Sequence, residues 1–232
     1  MAYNNYGNSF QRTSPVVINL IIINVLVYLA QVFIGGGNTE TNRAADLFAL
    51  HHYKSDFFEP YQIVTHMFMH GSFPHLFFNM FALFMFGVMI EKAWGPKKFL
   101  IFYLACGLAS AFAQMGNYMF DFSKIDSMSL TGEMNVQYQA VLQRAYTVGA
   151  SGAIMGIFAA FAYLFPNTEL IIFPIPVPIK AKFAVAIMAA IDIFGGVYST
   201  SSGIAHFAHL GGLAMGFIFV IVWNKTNKKT FY

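Results

Sequence analysis

The chain has 232 residues, 57% of them hydrophobic and only 10% charged, which excludes an ordinary soluble domain, where about a quarter of residues are charged. Its 13 Lys and Arg against 10 Asp and Glu leave a net charge of +3 with no basic stripe, so nucleic-acid binding is not expected. The length suits one compact unit and leaves no room for a second folded domain beside a helix bundle.

A membrane-spanning helix needs about 20 mostly apolar residues. Six stretches qualify. The first is predicted from about Val16 to Ile34, just after Pro15. It is longer than the apolar run of a secretory signal and lacks a small-residue cleavage motif behind it, so it reads as a retained helix. A long loop at 35–72 follows, opening on Gly35, Gly36 and Gly37. The second span is predicted from about Phe73 to Ile90 and the third from Phe99 to Phe120, with Cys106 packed inside it as a small apolar residue. A long polar loop at 121–145 leads to the fourth span, Tyr146 to Phe165. Pro174, Pro176 and Pro178 precede the fifth, Phe183 to Tyr198. After a short loop, Ser199 to Gly203, the sixth is predicted from Ile204 to Trp223. The fold class is an all-α membrane protein: one six-helix membrane domain at 16–224 between short tails at 1–15 and 225–232.

Orientation follows from the excess of Lys and Arg on the cytoplasmic side. One side holds nine of them: Arg12, Lys92, Lys97, Lys98, Lys180, Lys182, Lys225, Lys228 and Lys229. The other holds four: Arg43, Lys54, Lys124 and Arg144. Both termini are therefore predicted to be cytoplasmic.

Ionisable side chains inside a bilayer are expensive and are functional candidates by default. Here they are His75, Asp192, His206 and His209, with Asn79 and Ser151 as neutral polar residues in the same zone. The second, fourth and sixth helices enter from the external side. At 1.5 Å rise per residue, His75 and Asn79 lie roughly 3–9 Å below that end, and Ser151 and His209 each roughly 8 Å below it. Three helices thus deliver polar groups to one level. Gly152-x-x-x-Gly156 flanks Ser151, and Gly212-x-x-x-Gly216 follows His209 on its own face. Such small-residue faces let helices approach closely, which would bring Ser151 within reach of His209. A serine beside a histidine is the nucleophile and base of covalent catalysis. His75 and Asn79, four apart on one face, are donors suited to a developing oxyanion, as is the Ser151 backbone N–H. Taken singly, Ser151 reads as a packing residue and Asn79 as a bridge between helices; the joint pattern is what carries the reading.

These residues resemble the rhomboid family of intramembrane serine proteases. The resemblance runs from about His66 to Trp223. It rests on His66, His70, His75 and Asn79, on Gly149-Ala150-Ser151-Gly152, and on Ala208-His209-Leu210-Gly211-Gly212 with Gly216. It implies a Ser151–His209 dyad without a carboxylate member, and an oxyanion hole of His75, Asn79 and the Ser151 N–H. It also implies substrates that are single transmembrane helices, cut near the external face. The fifth helix would gate their entry from the lipid bilayer, with Gly195 and Gly196 as a hinge. Two departures stand out. Tyr61-Gln62 occupies the place of a Trp-Arg pair, and Met155 replaces an aromatic residue that would stack on the catalytic histidine.

Other residues receive structural readings. His66 and His70 brace the first loop through hydrogen bonds, His206 is a partner one turn from His209, Asp192 bonds locally, and Glu91 anchors the cytoplasmic end with Lys92. No metal and no cofactor is expected. A metal site built on the histidines would want more carboxylates than Asp192 alone, and His-Glu-x-x-His is absent. A non-catalytic rhomboid-like protein that binds transmembrane helices predicts loss of the serine or the histidine, and both are present. The lack of a transit-like N-terminus favours a bacterial cytoplasmic membrane, with the active site open to the external face.

Overall fold

The computed structural model describes residues 14–34, 43–126, 132–172, 175–198 and 205–227. The expected glycine run at 35–37, the loop at 199–203 and most of both tails lie outside the described residues.

Helix α1 (Pro15–Ile34) opens on a proline, whose missing N–H is no loss at the first helical position. The next two N–H groups, of Val16 and Val17, donate to Glu91 Oε1 and Oε2 at 3.0 and 2.9 Å. Glu91 is buried and caps the positive end of α1, a correction to its expected pairing with Lys92. The first loop then folds as α2 (Arg43–Phe48), β1 (Leu50–His51), α3 (Gln62–Thr65) and a tight turn at His66–Phe68.

Helix α4 (Phe73–Trp94) starts from Ser72, whose Oγ accepts from the His75 N–H at 3.3 Å. It widens by one π turn at Leu83–Gly87, where Val17 of α1 and Phe99 crowd Gly87. Gly95, at φ +83°, turns the chain directly into α5 (Pro96–Asp126). Helix α5 thus runs beyond its predicted limits at both ends. The third loop is also less irregular than expected, since it holds α6 (Glu133–Arg144). It ends in β2 (Tyr146–Thr147), antiparallel to β1 with Leu50 opposite Thr147 and His51 opposite Tyr146.

This strand shortens the predicted fourth span. Helix α7 begins at Ser151 and ends at Leu164, so Ser151 is its first residue and does not lie a turn and a half inside it. Gly149, at φ +130°, makes the break between strand and helix. The proline-rich stretch after α7 is a second surprise. It forms a hairpin of β3 (Glu169–Ile172) and β4 (Ile175–Lys180), with Glu169 opposite Lys180. Prolines fit such an isolated two-stranded edge because they need no ladder N–H there. Helices α8 (Ala181–Tyr198) and α9 (His206–Asn227) complete the described chain.

The protein is mostly helical, and α1, α4, α5 and α9 are each long and apolar enough to cross a membrane. Helix α7 has only 14 residues, about 21 Å of rise. It sits at the centre, and all but three of its residues are buried. A helix walled in by protein need not match the bilayer thickness, because its ends meet other backbone and not lipid. The core beside it is Phe99, Phe102, Tyr103, Cys106, Ile157 and Phe161. Outward faces are apolar too: Ile22, Leu26 and Leu29 of α1 and Phe77, Phe78 and Phe81 of α4 are all exposed. Such a surface suits lipid and would aggregate in water.

Candidate active site

The N-terminal ends of α4, α7 and α9 meet at one end of the bundle. Helix α9 packs on α7 with almost no side chains between them. A Cβ added at Gly212 would run into the carbonyl of Gly152, and one at Gly216 would come within 2.6 Å of Gly156 Cα. Gly152 and Gly156 press in turn on Ser110 and Cys106 of α5. Backbone contact of this kind sets helix separation with little play. It leaves His209, one turn into α9, with Nε2 at 2.9 Å from Ser151 Oγ.

His75 lies beneath the turn that precedes Ser151. Its Nδ1 accepts from the Gly71 N–H at 3.4 Å, which leaves the proton of a neutral ring on Nε2. That nitrogen would be only 3.0 Å from a Cβ at Gly149, so Gly149 is required both by its φ and by the ring below it. Asn79 is one turn further down α4 and buried, and its Nδ2 has no hydrogen-bond partner. The Ser151 N–H belongs to the first residue of α7 and has no partner within its own helix. His75 and Asn79 of α4 and the Ser151 N–H thus offer three donors at this end of the bundle.

The environment of His209 differs from the sequence expectation. Met155 is buried and packs with Val185 and Leu213. Asp192 of α8 does more than bond locally. Its Oδ1 accepts from His209 Nδ1 at 3.1 Å and from His206 Nδ1 at 2.8 Å. A carboxylate therefore stands where the resemblance implies none. The signal was present in the sequence, since Asp192 is the sole carboxylate within the six predicted spans. Gly195 and Gly196 lie within the continuous helix α8. They make room for α9, because a Cβ at Gly195 would meet the His206 ring at 2.5 Å and one at Gly196 would meet Phe207 at 2.9 Å.

The first loop clamps this end of the bundle. Gln62 is fully buried; its Nε2 donates to Phe57 O at 2.7 Å, and its Oε1 accepts from the His51 N–H at 3.3 Å. His66 Nδ1 donates to Gln62 O at 2.9 Å, and His66 O accepts from the Gly149 N–H at 2.9 Å. The loop is thereby tied to the residue that sets the start of α7. Gln31 of α1 exchanges two bonds with the His70 backbone, at 3.1 and 3.0 Å. Burial lowers the pKa of His66 to about 4, and burial together with the neighbouring His75 does the same for His70. Both rings are neutral at ordinary pH. Extended backbone at Met69 separates them, so they share no helical face for a metal. Among the described residues no group of three His, Cys, Asp or Glu side chains is arranged to hold a metal.

Residues 58–225 match the family model of the Rhomboid domain, and the chain belongs to the rhomboid family. Among its relatives is the mitochondrial rhomboid protein 1 of Saccharomyces cerevisiae, 29% identical over 157 residues, covering 68% of this chain and 40% of the relative. The rhomboid protease AarA of Providencia stuartii is 26% identical over 210 residues, covering 89% of this chain and 71% of the relative. The rhomboid protease GluP of Bacillus subtilis is 27% identical over 209 residues, with 90% of this chain and 35% of the relative covered. The chain thus spans well under half the length of two of these relatives. Family membership and the apolar helices together make it a multi-pass membrane protein.

Proposed function

We propose that the chain is an intramembrane serine protease that hydrolyses peptide bonds in single transmembrane helices. The observation that carries this reading is the Ser151 Oγ to His209 Nε2 distance of 2.9 Å. His209 takes the Ser151 proton as Oγ attacks the scissile carbonyl. The negative oxygen of the tetrahedral intermediate is met by His75 Nε2–H, Asn79 Nδ2–H and the Ser151 N–H. His209 returns the proton to the leaving amine, and water then releases the acyl group by the same steps in reverse.

In this reading α1, α4, α5, α7, α8 and α9 are six spans of one domain at 16–224, and both termini are cytoplasmic. The balance of nine basic residues to four supports that orientation. So does the far end of the bundle, where Trp94 packs on Trp223 at 5.1 Å and Lys98 lies over Trp223 at 5.7 Å. Tryptophan and lysine together suit a cytoplasmic interface. The serine then opens towards the external face of the membrane, which in this reading is a bacterial cytoplasmic membrane.

The test is cleavage of a model transmembrane substrate by the protein purified in detergent. Cleavage is expected to survive EDTA and to vanish in Ser151→Ala, and a fluorophosphonate is expected to label Ser151. Full activity in Ser151→Ala, or activity abolished by EDTA, would overturn the assignment. The second outcome would favour a metal site instead.

A further inference from the structure

The Ser–His pair leaves one requirement unmet. His209 must present an unprotonated Nε2 to Ser151, and it must hold its ring plane towards α7. Met155, a weak acceptor packed with Val185 and Leu213, does not fix the proton on Nδ1. Asp192 does. It is buried, and an ionised carboxylate can only accept hydrogen bonds. Both Nδ1 atoms within reach of its Oδ1, at 3.1 Å from His209 and 2.8 Å from His206, must therefore carry their protons. With the proton on Nδ1, a neutral His209 has a lone pair on Nε2, facing Ser151 Oγ at 2.9 Å.

We infer that Asp192 is a positioning residue of the proposed protease, completing a Ser151–His209–Asp192 relay. The inference rests on the proposed proteolytic reading of the site. Three features make this a built arrangement. A carboxylate at this depth is costly unless it is paired, and here two imidazoles pair it. His206 rests against Gly195, three residues along α8 from Asp192, where a Cβ would meet its ring at 2.5 Å. His206 thus holds the carboxylate from one side and leaves it directed at His209. When His209 gains the Ser151 proton, the neighbouring negative charge stabilises the imidazolium, as in soluble serine hydrolases.

The experiment compares Asp192→Asn, Asp192→Ala, Asp192→Glu and His206→Ala with the wild type in detergent. The isosteric Asp192→Asn preserves packing and is checked by thermal melting. Its expected result is a kcat about 100-fold lower with KM within about twofold, because the loss falls on the transition state. Asp192→Glu recovers part of the rate. His206→Ala leaves His209 its acceptor and loses at least about tenfold less than Asp192→Ala. A second readout is independent of cleavage. In protein carrying 15N-labelled histidine, His209 is expected as a single Nδ1–H tautomer in the wild type and in Ser151→Ala. It is expected as a tautomer mixture in Asp192→Ala. Unchanged kcat in Asp192→Asn, or a tautomer unaffected by Asp192→Ala, overturns the inference while leaving the Ser–His protease standing. If the wild type cleaves nothing, the proposed function fails, and the tautomer alone decides whether Asp192 orients His209.

Discussion

Helix α9 meets two neighbours near the site in two different ways. Against α7 it is in contact backbone to backbone, with Gly212 on Gly152 and Gly216 on Gly156. Against α8 it reaches across with side chains, His206 and His209 towards Asp192. The first contact has no rotamers to adjust, so it fixes the serine–histidine distance rigidly. The second depends on torsions and on the position of α8, whose outer face carries the exposed Ile187, Ile191 and Phe194. A rigid seam thus holds Ser151 to His209, and an adjustable one holds His209 to Asp192.

Substitutions can set these two seams against each other. The largest effect is expected for Gly212→Ala. Its Cβ would strike the Gly152 carbonyl, which cannot yield without moving a helix. Cleavage is expected to fall below detection and the fold to lose about 1–3 kcal/mol, read by activity and thermal melting. Asn79→Ala comes next. It should lower kcat about 100-fold with little change in KM, as for removal of one oxyanion donor. Yet the melting temperature should hold or rise, because a buried donor without a partner is removed. An activity loss with a matching stability loss would instead mark Asn79 as a structural residue. Gly195→Ala should be milder, about tenfold in kcat, because the obstacle is an imidazole that can turn aside. If Gly195→Ala were as damaging as Gly212→Ala, the distinction between the two seams would fail.

A pH dependence of stability in the first loop bears on neither seam directly. Burial holds His66 and His70 at about 4 in the folded protein, below the ordinary value of 6.5. Between those values the unfolded chain binds more protons, so stability is lost as pH falls from about 6.5 to about 4. Thermal melts across that window should fall with pH, and more gently in His66→Asn. A flat response would mean that the loop is looser than its hydrogen bonds suggest.

Much of this was legible in the sequence for definite reasons. Long apolar runs marked α1, α4, α5 and α9, and glycine spacing indicated the faces through which α7 and α9 meet. The start of α7 was missed because Tyr146 and Thr147 are apolar enough to extend the run, while their pairing with Leu50 and His51 is a contact across almost a hundred residues. The hairpin before α8 was missed because a proline-rich stretch reads as a loop, although Pro176 and Pro178 lie in β4. Asp192 was visible as an anomaly, but its partner was not. A residue one helix away can be recognised as costly from composition, whereas the atom it serves depends on how α8 leans on α9. Gln62 hid for a similar reason, since nothing near it in sequence reveals that four backbone groups converge on its amide.

The bond from Asp192 to His209 is 3.1 Å, near the long end of a good hydrogen bond. A displacement of α8 by about one ångström would break it, while the glycine seam kept Ser151 on His209. The bundle would then convert a translation of one lipid-facing helix into a change in the basicity of an imidazole on another. In the proposed protease, the rate would then follow whatever leans on α8 from the bilayer.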